Sequence, residues 1–159
     1  MGSVRRLLIA WLQSLFDRVR SLVGGGRARL AQGDDADAEL REVFLIELRE
    51  VAHSLQTACA DWRANPADAD ALKRLRRGFH TIKGSAPLIG AVALAESCRH
   101  LESLTARLLD RTAQPVPEMV RAVEQAIRWL PACADALRDG RAPPAQLRAI
   151  GEQVRRFLG

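Results

Sequence analysis

From residue 38 onward, apolar residues recur every three or four positions in blocks separated by proline and glycine breaks, the period of amphipathic helices rather than strands. Leu40, Phe44, Leu48, Val51, Leu55, Cys59 and Trp62 form one stripe and predict a helix over about 38–63, ended by Asn65-Pro66. Leu72, Leu75, Phe79, Ile82 and Ala86 predict a second helix over 67–87, with Pro87 and Gly90 marking its end. Leu94, Cys98, Leu101, Leu104 or Thr105, and Leu108 predict a third over 91–111. Val120, Val123, Ile127, Leu130, Ala134 and Leu137 predict a fourth over 117–138, with Pro117 suited to its first turn and Pro131 expected to kink it. The pattern is all-α. Four long helices with short connections fit an antiparallel up-and-down four-helix bundle.

Both ends of the chain add to that bundle. Val4, Leu8, Trp11, Leu12, Leu15, Val19 and Leu22 predict an amphipathic N-terminal helix within 1–23. Gln13, Asp17, Arg18 and Arg20 interrupt its apolar run, which is too short to span a bilayer, and no small-residue cleavage site follows. Packing on its own domain or on a second copy is the favoured reading, and membrane contact by this N-terminal helix the minor one. Glycine-rich 24–37 reads as a flexible linker and 38–140 as the bundle. The remainder, 141–159, carries a C-terminal helix over about 144–157 with Leu147, Ile150 and Val154 on one face.

Composition narrows the partners. Of 159 residues, 48% are hydrophobic and 27% charged, which suits a globular domain. The net charge of +5 would raise nucleic acid as a partner. However, the excess arginine lies mainly in the first 30 residues and near the C-terminus, and no recognition helix gathers it, so no nucleic acid partner is expected. Cys59, Cys98 and Cys133 are unclustered and fall at or beside apolar helical positions. They predict buried thiols in a reducing, cytoplasmic setting, not a disulfide framework or a zinc site.

The chemistry concentrates on the second helix. At ~100° per residue, His80, Gly84, Lys83, Lys73, Arg76 and Arg77 share a face turned away from the apolar stripe. A neutral imidazole is a competent nucleophile near neutral pH. Phosphoryl transfer requires an in-line nucleophile and positive charge near the equatorial oxygens. Lys83 is one turn on and able to reach a phosphoryl group on His80, and Lys73 and Arg76 raise the local potential. Gly84 lacks a side chain on the same face, leaving room for a second protein, although glycine within a helix costs about 1 kcal/mol relative to alanine. Only two of the 24 basic residues are lysine, Lys73 and Lys83, which suggests that a compact ammonium is required beside His80.

His80-Thr81-Ile82-Lys83-Gly84-Ser85-Ala86, with Gly90 beyond and Leu101-Glu102 in the next helix, resembles the active helix of histidine-containing phosphotransfer (HPt) domains. The pattern is His-x-x-Lys-Gly-Ser/Ala, and the likeness covers about 38–138. Within that family the segment is most similar to HPt modules of chemotaxis-type or hybrid histidine kinases, including those that control twitching motility. Pro87-Leu88-Ile89 departs from the more polar turn of many members, a difference at the partner surface.

The resemblance implies that His80 accepts a phosphoryl group from a histidine kinase catalytic domain or a receiver aspartyl phosphate and passes it to the aspartate of a response-regulator receiver domain. It implies a phosphocarrier with no ATP site and no cofactor of its own, with Mg2+ belonging to the partner receiver or kinase. The alternative is a non-catalytic helical scaffold of HPt-like shape. Arg76 and Arg77 are either solvated charges or a docking and phosphate-steering patch. Ser85 either favours the helix end or orients the imidazole or phosphate. Glu102 either holds one of these arginines or faces water, and water is favoured. His53 and His100 read as surface or structural histidines, with His100 turned away from the core. A metal site from Cys98, His100 and Glu102 is disfavoured because helical spacing separates their directions, and none is expected.

Overall fold

The protein's computed structural model describes residues 33–159, with side chains from Asp37 onward. The amphipathic N-terminal helix expected within 1–23, and the linker as far as 32, lie outside the described residues. Among the described residues there are five α-helices and no strand: α1 (Gly33–Ala64), α2 (Ala69–Ser85), α3 (Val92–Leu109), α4 (Pro117–Arg138) and α5 (Ala145–Leu158). A 3-10 turn, Ala86–Ile89, joins α2 to α3. The first helix begins at Gly33 rather than 38, inside the stretch read as linker. Its acid-rich sequence, GDDADAE, suits a helix N-terminus, where the backbone dipole favours negative charge.

The connections show how local chemistry sets the bundle. Asn65 Oδ1 accepts from Ala67 N, and Asp68 caps α2 by accepting from the backbone N–H groups of Asp70 and Ala71, both at 2.9 Å. After α2, Pro87 cannot extend an α-helical hydrogen-bond ladder, and the chain tightens into the 3-10 turn. Gly90 then takes φ +76°, a left-handed conformation that glycine adopts without steric cost, and Ala91 N–H closes back on Ala86 O at 3.0 Å. The fourth helix spans Pro117–Arg138 as its periodicity predicts and continues past Pro131, which lies on the exposed side.

Cross-helix contacts fix the neighbours. α1 runs antiparallel to α4, with Arg49 paired to Asp135 at 3.1 Å and Arg63 to Glu124 at 3.0 Å. It also runs antiparallel to α2, where Arg74 meets Asp61 at 2.8 Å. These exposed pairs contribute roughly 0–1 kcal/mol each. The apolar core does more: Phe44, Trp62, Leu75, Phe79, Leu94, Leu104, Val123 and Leu130 are all almost fully excluded from water. Gly78 lets α1 and α2 approach closely, because a Cβ there would fall 2.6 Å from Leu55 Cδ2.

α5 packs over α3 and α4. A Cβ on Gly151 would fall 2.8 Å from Ser97 Oγ, and that hydroxyl reaches Leu147 O at 3.3 Å. This helix overturns one sequence expectation. His100, read as turned away from the core, is buried, because α5 lies against the side of α3 that carries it. Cys59, Cys98 and Cys133 are buried thiols, and burial raises the pKa of Cys59 to about 11.

Candidate functional site

Among the described residues one face of α2 is uncovered, and His80 lies on it with 65% of its side chain exposed. Its ring is nonetheless fixed from one side. Nδ1 lies 2.7 Å from Glu102 Oε1, across the α2–α3 seam. The second carboxylate oxygen, Oε2, accepts from Lys83 Nζ at 2.6 Å. Glu102 therefore joins the histidine and the lysine of the motif. It is the functional residue that the sequence reading misjudged when it gave Glu102 to water.

The electrostatics follow from those contacts. Burial pushes the Glu102 carboxyl up, but the hydrogen bonds and positive charge supplied by Lys83 and His80 more than offset it, so its pKa lies below the ordinary carboxylate value. An ionised carboxylate only accepts, so Nδ1 carries the ring proton and donates it. In the neutral ring Nε2 is then the unprotonated nitrogen, on the side of an exposed ring away from Glu102. Charge-assisted bonds of this kind are about twice as strong as neutral ones, and they hold the tautomer as well as the orientation.

The other expected site residues separate into distinct roles. Lys83 is one-third exposed and sits on Glu102, so in this arrangement its ammonium supports the carboxylate instead of projecting to the reacting face. A Cβ on Gly84 would meet nothing within 4 Å, so the surface beside His80 is open, as the access argument requires. Lys73 is held by Asp70 at 3.2 Å, one turn earlier. Arg76 and Arg77 are exposed and, among the described residues, unpaired. Ser85 is buried and donates to Thr81 O at 2.9 Å, so its hydroxyl serves the helix backbone and does not touch the imidazole.

Cys98 lies in the core, His100 lies beneath α5, and Glu102 is occupied on the α2 side. Among the described residues no group of three or more His, Cys, Asp or Glu is arranged to hold a metal ion. No described helix is long and apolar enough to cross a membrane.

An all-helical bundle that exposes one oriented histidine nitrogen is the architecture of a phosphotransfer module, and comparison with known proteins agrees. The Hpt domain family matches residues 39–150, and the chain belongs to that family. Its function is that of a histidine phosphotransfer module of a phosphorelay. The chain is also similar to "Sensor histidine kinase CheAY" of Helicobacter pylori (strain ATCC 700392 / 26695), with 29% identity over 101 residues. That match covers 64% of this chain and 13% of the relative's length.

Proposed function

We propose that His80 Nε2 is the phosphoryl acceptor and donor of this module. The observation that carries the reading is the Nδ1–Glu102 bond, which leaves Nε2 as the exposed nucleophile. In the forward step the Nε2 lone pair attacks phosphorus in line, the P–N bond forms, and the bond to the leaving oxygen breaks. The leaving group is a receiver aspartate when the donor is an aspartyl phosphate, or ADP when it is ATP in a kinase domain. The ring keeps its Nδ1 proton and becomes cationic, and the Glu102 carboxylate beside it balances that charge. The reverse of the same step delivers the phosphoryl group to a receiver aspartate.

Each neighbour has a part. Lys83 keeps Glu102 ionised and in place. Gly84 leaves space for the partner's active site, and Arg76 and Arg77 steer an acidic receiver face toward His80. Mg2+ belongs to the partner, where it offsets phosphate charge. The likeness to a sensor histidine kinase supports a place for this segment beside a kinase catalytic domain. The three free thiols support a cytoplasmic setting. A scaffold that does not transfer phosphate is the second reading. The intact His80–Glu102–Lys83 arrangement disfavours it, because a bundle retained for its shape alone has no use for an oriented imidazole.

The test is incubation of the native chain and His80→Gln with phosphorylated receivers and kinase domains. Acid-labile, alkali-stable label on the native chain alone is expected. A folded native chain that takes no label from a panel of such donors overturns the acceptor reading in favour of the scaffold.

A further inference from the structure

The most deeply buried polar side chain among the described residues lies one turn from the brace on His80. Thr105 is fully excluded from water, at a point on α3 where the apolar stripe admits either it or Leu104, and both enter the core. A hydroxyl in that setting requires a hydrogen bond. Thr105 Oγ1 reaches back along its own helix and lies 2.8 Å from Glu102 O and 3.1 Å from Leu101 O. It has a single proton to give, and the shorter contact is to the main chain of the residue that holds the His80 ring.

Residues three apart are neighbours on a helix surface, so one turn of α3 presents Thr105 to the core and Glu102 to α2. The hydroxyl therefore ties the peptide group of Glu102 to a side chain that packing immobilises. That tie matters because the Glu102 carboxylate serves two partners at once. Oε1 is 2.7 Å from His80 Nδ1 and Oε2 is 2.6 Å from Lys83 Nζ, both at the short end for charge-assisted bonds. Rotation of the carboxylate toward one partner draws it from the other. A main-chain shift of ~0.5 Å then lengthens one of the two bonds.

Helix stability alone does not call for this hydroxyl. The carbonyls of Leu101 and Glu102 accept the ordinary helical bonds from the N–H groups of Thr105 and Ala106, and a back-bonding hydroxyl slightly weakens and bends a helix. Its use lies in the geometry of the turn.

We propose that Thr105 is a positioning residue for the phosphoryl-acceptor site: its hydroxyl fixes the turn of α3 from Leu101 to Thr105 and so holds the Glu102 carboxylate within reach of His80 Nδ1 and Lys83 Nζ together. The inference rests on His80 being the acceptor.

The test compares Thr105→Val, which keeps the shape and loses the hydroxyl, with Thr105→Ser, which keeps the hydroxyl and loses a methyl group. Carbon-13 titration of the Glu102 carboxyl and the nitrogen-15 resonance of His80 Nδ1 are followed in the unphosphorylated chain. In Thr105→Val the Glu102 midpoint, below 4.5 in the native chain, is expected to rise toward 4.5, and the Nδ1 resonance to move toward that of a ring exchanging its tautomers. Thr105→Ser should keep both native values. Single-turnover transfer should slow about fivefold in Thr105→Val, the size of one net hydrogen bond, with the helical circular dichroism signal retained.

Native values of both the midpoint and the resonance in Thr105→Val overturn the proposal. An equal displacement in Thr105→Ser also overturns it, because the effect then belongs to the packing of the methyl group. Loss of helicity in Thr105→Val does the same, since the hydroxyl is then needed for folding. Neither spectroscopic measurement requires a phosphoryl donor, so failure to label His80 contradicts the relay reading and leaves these two to decide the role of Thr105.

Discussion

The two seams of α2 each hold a glutamate; burial pushes both pKa values up, but the net shifts are opposite. On the α3 side, Glu102 is 15% exposed, receives donors from His80 and Lys83, and ionises more readily than an ordinary carboxyl. On the α1 side, Glu47 Oε2 is buried with no hydrogen-bond partner among the described residues, and burial with the Glu50 charge beside it raises the pKa of its carboxyl. The difference lies in the supply of donors. A cation one helical turn from the histidine converts one seam into an anionic brace, and with no cation paired to Glu47 among the described residues the other seam holds a carboxyl whose pKa is raised.

Removing the brace is expected to have the largest effect. Glu102→Ala should slow phosphoryl transfer on the order of 10²-fold, because Nδ1 no longer fixes the tautomer and nothing balances the ring charge. Single-turnover transfer beside circular dichroism checks this, with helicity expected to persist. The pH sense follows from the lowered pKa. The stabilisation that Glu102 supplies is present above the ordinary carboxylate value and is lost as pH falls through its own depressed value.

Next in size, a bulky Gly84→Trp substitution should slow transfer from a protein donor about tenfold, one unit of the 1.4 kcal/mol scale. Labelling by a small donor such as phosphoramidate should be nearly unaffected, because the added side chain enters open solvent and the histidine chemistry is intact. Equal slowing with both donors would place Gly84 in the chemistry and not in partner access.

Gly78→Ala isolates the α1–α2 seam from the site. Overpacking against Leu55 costs roughly 1–3 kcal/mol, offset in part by about 1 kcal/mol of helix propensity. A lower urea midpoint is expected. The smallest effect belongs to Glu47→Gln. Because the Glu47 pKa is raised, its stabilising proton is fully present below the unfolded value and is lost as pH rises through the folded one. The variant should therefore melt higher than the native chain at alkaline pH, and the gap should close below pH 4.5.

The two seams also separate what periodicity discloses from what it omits. The helices of the bundle, the Pro117–Arg138 span and the exposed face bearing His80 follow from spacing along one helix at a time. Contacts between helices do not. Glu102 sits on the exposed edge of its own helix and acquires its role from a histidine and a lysine on another, so a stripe analysis of α3 assigns it to water. His100 fails for the same reason, since α5 covers a side of α3 that a four-helix count leaves open. Gly78 carried a legible signal: a glycine amid good helix formers, two residues from the histidine, which is explained once Leu55 is seen against it.

The central claim, that Glu102 holds Nδ1 so that phosphate enters at Nε2, is tested most directly by nitrogen-15 and phosphorus-31 spectra of the His80 ring in the phosphorylated chain. Phosphorus coupled to Nε2, with a proton retained on Nδ1, is the predicted result. Phosphorus on Nδ1 would contradict the account, because that nitrogen would have to leave Glu102 before it could react.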